Sequence, residues 1–224
     1  MLSLIPNLLT LARLVLAPVV AWCVWRGFHV PYVAEFGPNA LDHTAEMARH
    51  ANHVGDSYKV WAAGLFLIAA ATDLFDGMAA RAFDADSRFG RVLDPIADKA
   101  LVGLPLLTIA GITGFTMAEG VAPGFHLHAL NPWITIPALV IVGRDLVITL
   151  LRMFASDGEG PRVTFLAKWK TALELAAVAM PIFLALPQIS FGPGVTSAWL
   201  AILALAAALS LWTGLGYLAA PARR

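Results

Sequence analysis

The sequence predicts an all-α integral membrane protein with six transmembrane helices, and three observations carry that expectation. First, of 224 residues 59% are hydrophobic and only 13% charged, against about 45–50% and about 25% in a soluble domain. So few charges cannot cover a water-facing surface, and mean hydropathy is +0.74. Second, six apolar stretches are long enough to cross a bilayer, which takes roughly 17–25 residues each. Third, Lys and Arg gather in alternate connections, as they do where the chain weaves through a membrane.

The spans run over residues 8–26, 59–80, 93–115, 132–153, 169–187 and 197–219. The first has no basic segment ahead of it and contains Arg13, so it reads as a retained span rather than a cleaved signal. Arg81, Arg88 and Arg91 mark one connection; Arg152, Arg162, Lys168 and Lys170 mark another; Arg223 and Arg224 end the chain. The connections 116–131 and 188–196 carry neither Lys nor Arg. Both termini are therefore expected in the cytoplasm. No internal repeat is visible, and residues 1–224 read as one domain. Formal net charge is zero, so no global field points to nucleic acid. Cys23 is the one cysteine, which excludes an internal disulfide and leaves a membrane-buried thiol.

Between the first two spans lies a long polar connection, 27–58, in which Asn39 followed by Ala40 to His53 reads as a short capped helix. All six histidines fall in the predicted outer connections. His43, His50 and His53 share a helical face, which suggests either a metal site or, with no further ligand near them, a solvated face.

The chemistry concentrates between Asp73 and Asp98, at the end of span two and the start of span three. Asp73 and Asp76 are three residues apart and Asp94 and Asp98 four, so on helices each pair lies on one face. A short connection makes the two helices antiparallel neighbours on which the pairs can converge. Ionisable residues inside a membrane are costly and mark function. Clustered carboxylates call for divalent cations, and hard oxygen donors favour Mg²⁺ or Mn²⁺ over Zn²⁺. Gly77 leaves room for a ligand against the backbone, and Arg81, one turn on, offers a planar fork for phosphate. An acidic membrane-edge loop paired with Arg81, Arg88 and Arg91 explains Asp84 and Asp86, but not this whole spacing.

Asp73-x2-Asp76-Gly77-x2-Ala80-Arg81-x8-Gly90-x3-Asp94-x3-Asp98 resembles, without gap or substitution, the signature of the CDP-alcohol phosphatidyltransferases. The resemblance implies a CDP-alcohol phosphotransferase-like fold of six membrane helices, a homodimer, and a cavity open to the cytoplasm, expected here at a bacterial inner membrane. Two divalent ions, Mg²⁺ or Mn²⁺, are expected on Asp73, Asp76, Asp94 and Asp98, with Asp98 as general base. CDP-diacylglycerol is expected near Asn7, Thr10, Asp73, Gly77, Arg81 and Ser87, its acyl chains among membrane lipid.

Two further segments resemble the phosphatidylglycerophosphate synthase branch of that family. Pro6-Asn7-Leu8-Leu9-Thr10-Leu11-Ala12-Arg13 places a polar stripe, Asn7, Thr10 and Arg13, on an apolar helix. Capping and snorkelling would also account for that stripe. Gly143-Arg144-Asp145, Arg152 and Lys168-Trp169-Lys170-Thr171 resemble its acceptor side. Arg144, deep in a span, requires an anion. With Asp145 expected to point elsewhere, the phosphate of glycerol-3-phosphate, shared with Arg152 and Lys170, is the expected partner. An acid from another span is the structural alternative. Phosphatidylglycerol or an inositol phosphate are the alternative acceptors, and a cation transporter is the rival from another class.

Overall fold

The structure is a computed structural model that describes residues 4–36, 45–83, 88–116, 131–187 without 155–164, and 193–219. Six α-helices make up the described chain: α1 (Leu4–Phe36), α2 (Ala45–Phe83), α3 (Arg88–Thr116), α4 (Pro132–Phe154), α5 (Phe165–Leu184) and α6 (Pro193–Ala219). α1 packs along α2 and α3, α3 leans on α4 and α5, and α6 closes the other side against α4 and α5. α3 thus packs against α1, α2, α4 and α5 and carries Asp94 and Asp98 in its N-terminal half.

Among the described residues, four helices hold stretches long and apolar enough to cross a membrane: Leu8–Pro31, Leu93–Ile112, Pro132–Leu151 and Gly194–Gly216. The expected second and fifth spans fall on the helices α2 and α5. The apolar part of α2 is bracketed by Asp56 and Lys59 on one side and Asp73 and Asp76 on the other, and α5 carries Lys168, Lys170 and Glu174.

Small residues set the helix spacing. Ala17, Ala62, Ala69, Ala97, Ala177 and Ala206 lie in the core, where their lack of bulk lets backbones approach closely, as membrane helix pairs require. Leu106, Ile141, Val178 and Leu203 fill the remaining space, and Cys23 is buried as expected. Large apolar side chains such as Trp22, Leu67, Trp133, Leu205 and Trp212 point outward, which is the arrangement lipid demands.

The connection expected over 27–58 is mostly helix. α1 continues unbroken past Arg26 to Phe36, and the short helix expected from Ala40 is the opening of α2, which begins at Ala45; Asn39 lies outside the described residues. With 39 residues, α2 is about 58 Å long at 1.5 Å per residue, well beyond a hydrocarbon core of about 30 Å. Mutual packing sustains both helices through this polar stretch. A Cβ on Gly27 would stand 2.9 Å from the Lys59 Cγ, and one on Gly55 would stand 2.5 Å from the Pro31 Cγ. Trp22 meets the Tyr58 ring edge-on, and the Arg26 guanidinium lies over the same ring. Here His50 and His53 are exposed on α2, while His43 is outside the described residues.

Candidate active site

Thr10 and Arg13 are spaced one turn apart on α1, and both side chains are buried. They meet the carboxylates spaced one turn apart on α3. Thr10 Oγ1 donates to Asp94 Oδ1. Arg13 Nη1 donates to Asp98 Oδ1 at 2.5 Å, and Arg13 Nη2 stands 3.9 Å from Asp94 Oδ1. Both aspartates keep nearly half of their side-chain surface open, 44% for Asp94 and 47% for Asp98. Thr10 and Arg13 therefore neither cap the helix nor snorkel. They are the floor beneath two outward-facing carboxylates.

This donor set fits the divalent ions the sequence calls for. Two carboxylates on one helix face are hard oxygen ligands, as Mg²⁺ and Mn²⁺ prefer. The Thr10 and Arg13 bonds fix their rotamers from below, in the way outer partners orient metal ligands. Asp73, Asp76, Gly77 and Arg81 ride on the closing turns of α2, which four residues separate from α3, and their side chains lie outside the described residues. So do the side chain of Asn7 and the whole of Ser87.

A second polar cluster sits where α3, α4, α5 and α6 meet. Asp145, 4% exposed, is its centre. Its Oδ2 is 2.5 Å from Lys99 Nζ, and its Oδ1 is 2.8 Å from both Lys170 Nζ and Arg144 Nη1. Glu174, 1% exposed, lies 2.6 Å from Lys170 Nζ and 4.0 Å from Lys99 Nζ. Arg144 Nη2 donates to Thr213 Oγ1 at 3.0 Å, and that hydroxyl donates in turn to the Leu209 carbonyl. α6 offers Gly214 here: a Cβ on it would lie 3.0 Å from Arg144 Cγ and Nε. The arginine therefore rests directly on the α6 backbone.

Two expectations are corrected by this geometry. Asp145 does not point away from Arg144; the long arginine side chain returns its guanidinium to the neighbouring carboxylate. Nor do Arg144 and Lys170 lack a matching acid, since Asp145 and Glu174 pair with them. The sequence brings Arg144 and Lys170 together as expected, while the Arg152 side chain, two turns along α4, lies outside the described residues. Lys99 and Glu174 were not anticipated. Glu174 is legible in retrospect as a carboxylate one turn from Lys170 on one helix face, within an apolar stretch where charge is rare. Lys99 is masked in the sequence by its neighbour Asp98, whose signature position explains the charge of that turn on its own.

The two clusters are joined by α3. Asp98 and Lys99 are consecutive, so their side chains leave the helix roughly 100° apart, one toward α1 and the other toward α4 and α5. One face presents the two open carboxylates, the adjacent face a cluster with three cations and two acids.

Known proteins are similar to this chain over most of its length. A protein of Cereibacter sphaeroides named CDP-diacylglycerol–glycerol-3-phosphate 3-phosphatidyltransferase is 35% identical over 177 residues, 79% of this chain. The chain spans 62% of that relative's length. A Salmonella choleraesuis protein of the same name is 30% identical over 219 residues, covering 96% of this chain and 93% of the relative. One from Escherichia coli is 33% identical over 162 residues, 71% of this chain and 77% of the relative. The sequence profile of the CDP-alcohol phosphatidyltransferases matches residues 3–212, nearly the whole chain and both clusters. The chain belongs to the CDP-alcohol phosphatidyltransferase family of transferases.

Proposed function

We propose that this protein transfers the phosphatidyl group of CDP-diacylglycerol to glycerol-3-phosphate, releasing CMP and forming phosphatidylglycerophosphate. The observation that carries the reading is the juxtaposition on α3 of the open Asp94 and Asp98 carboxylates with the cation-rich cluster at Lys99, Arg144 and Lys170. A diphosphate donor with metal fits the first, and a small acceptor bearing a phosphate fits the second. The names of three relatives agree with that choice of donor and acceptor.

In the proposed reaction, Asp73, Asp76, Asp94 and Asp98 hold two divalent ions, Mg²⁺ or Mn²⁺. When bound, such ions neutralise the diphosphate and the charge that develops on departing CMP. Thr10 and Arg13 hold Asp94 and Asp98 in place; Asn7, Gly77, Arg81 and Ser87 complete the CDP-lipid site. Asp98 takes the proton of the acceptor hydroxyl, whose oxygen forms the new bond to the lipid-bearing phosphorus while the bond from that phosphorus to CMP breaks. Arg144, Arg152 and Lys170 belong to the acceptor side, Lys170 held there by Asp145 and Glu174. All six helices cross the membrane in this reading, with Lys170 and Glu174 of α5 buried inside the bundle. Both termini and the cavity face the cytoplasm of a bacterial inner membrane, and the protein works as a homodimer.

An acceptor panel tests the proposal. Purified protein with Mg²⁺ and CDP-diacylglycerol is supplied with glycerol-3-phosphate, phosphatidylglycerol, inositol phosphate or serine, and CMP release is followed. Release with glycerol-3-phosphate alone is expected. Turnover only with phosphatidylglycerol would replace the acceptor and make the product cardiolipin.

A further inference from the structure

The acceptor-side cluster contains Lys99, Arg144 and Lys170 against Asp145 and Glu174, so three formal positive charges face two negative ones. The surplus is not spread evenly. Lys170 has a carboxylate oxygen at 2.6 Å and another at 2.8 Å, and 5% of its side chain is exposed. A phosphate cannot reach that ammonium without displacing Glu174 or Asp145. Lys99 has one close carboxylate, at 2.5 Å, with its second at 4.0 Å, and 34% of its side chain is open. Asp145, its close partner, is shared with two other cations. Arg144 is intermediate, with 17% of its side chain open.

From this asymmetry we infer that Lys99, with Arg144, is the cation that meets the acceptor's phosphate, and that Lys170, Asp145 and Glu174 form a buried ionic footing that positions them. The inference rests on the acceptor reading above and reassigns its residues. Lys99 directly follows Asp98 on α3, so an acceptor gripped at Lys99 lies on the helix face next to the carboxylate proposed to deprotonate it. A larger acceptor without a terminal phosphate gains nothing from this placement, which makes Lys99 a specificity-determining residue as well as a binding one.

The test is a kinetic comparison of Lys99→Met, Lys99→Arg, Lys170→Met and Arg144→Ala in the full-length membrane enzyme, with both substrates varied. Lys99→Met is expected to raise the KM for glycerol-3-phosphate about 10- to 150-fold, the range for losing a charge-assisted contact. The KM for CDP-diacylglycerol should move less than about twofold, since uniform loss of acceptor binding leaves the donor alone. Lys99→Arg should recover most of the loss. Lys170→Met should instead mainly lower thermal stability, raising the KM for glycerol-3-phosphate less than Lys99→Met does. Should Lys99→Met not fold, Lys99→Gln retains a donor for Asp145 and reads the same constant. A normal KM for glycerol-3-phosphate in the Lys99 variants, beside a raised one in Arg144→Ala or Lys170→Met, overturns the inference and leaves the acceptor reading standing. No change in any of the variants removes both.

Discussion

Arg13 on α1 and Asp98 on α3, 85 residues apart, meet at 2.5 Å between guanidinium and carboxylate. The two ends of this contact are unlike: the arginine side chain is 2% exposed, the aspartate 47%. A buried cation thus holds an open carboxylate by one oxygen. Arg13→Gln removes that charge and should lower either kcat or the apparent Mg²⁺ affinity about 10- to 100-fold, the usual scale for outer partners of metal-binding groups. Mg²⁺ titrations of CMP release separate the two effects. Unchanged kinetics would reduce Arg13 to a packing residue.

Thr10 and Asp94 form the companion contact. Thr10→Val keeps the shape and removes the hydroxyl, so it should raise the Mg²⁺ concentration needed for half-maximal rate roughly tenfold. Asp94→Asn goes further and takes a charge from the proposed ion site, as does Asp73→Asn. Both should abolish CMP release at any Mg²⁺ concentration, and chelation of the wild-type protein should do so reversibly. Full activity in excess chelator would dispose of the metal reading.

The chemistry of this chain is easier to read in its sequence than its packing. Asp94 and Asp98 stand out because charge is expensive in an apolar stretch and their spacing admits one helical geometry. That Thr10 and Arg13 lie beneath them is not readable, since a polar stripe looks the same whether it faces water, headgroups or another helix. Asp145 shows a second limit. Adjacent helical residues diverge at Cβ, but an arginine is long enough to turn back, so spacing alone misplaced its guanidinium. The helix ends failed for a third reason. Hydropathy marks where lipid ends near Arg26 and Lys59, whereas α1 and α2 continue as long as Gly27 and Gly55 let them pack.

Gly214 gives a test of how Arg144 is seated. A Cβ there would lie 3.0 Å from Arg144 Cγ and Nε, while one on Gly216 meets nothing within 4 Å. Gly214→Ala should push the guanidinium off its bonds to Asp145 and Thr213. The expected result is a raised KM for glycerol-3-phosphate and a stability loss of about 1–3 kcal/mol from overpacking. Gly216→Ala, a few residues along the same helix, should change neither. Equal effects from the two substitutions would mean that helix α6 itself, not Arg144, responds.

Topology is accessible to labelling. In a background with Cys23 replaced by Ala, single cysteines at Ser87 and Ser156 should react with an impermeant thiol reagent only from the cytoplasmic side. A cysteine at His50, exposed on the long arm of α2, should react only from the other side. Outer labelling at position 87 would put the candidate site on the wrong face of the membrane.

The last prediction concerns the arm that α1 and α2 form beyond their apolar stretches. Gly55 is buried there, and a Cβ on it would stand 2.5 Å from Pro31 Cγ and 2.9 Å from the Gly27 carbonyl oxygen. One of these neighbours is a rigid ring and the other is backbone, so neither can swing aside as a flexible side chain would. Gly55→Ala should therefore part the two helices locally, at a cost of about 1–3 kcal/mol, despite alanine's better helix propensity. Gly64, about two and a half turns nearer the site on the same helix, has nothing within 4 Å of its Cβ position. Gly64→Ala should be neutral or stabilising by up to about 1 kcal/mol, the propensity difference alone. Thermal unfolding of the detergent-solubilised protein distinguishes the two. Because the arm lies at the end of α2 remote from Asp73 and Asp76, the folded Gly55→Ala protein should keep its KM for both substrates. A changed KM would mean that the crossing of α1 and α2 also sets the register of Thr10 and Arg13 against Asp94 and Asp98.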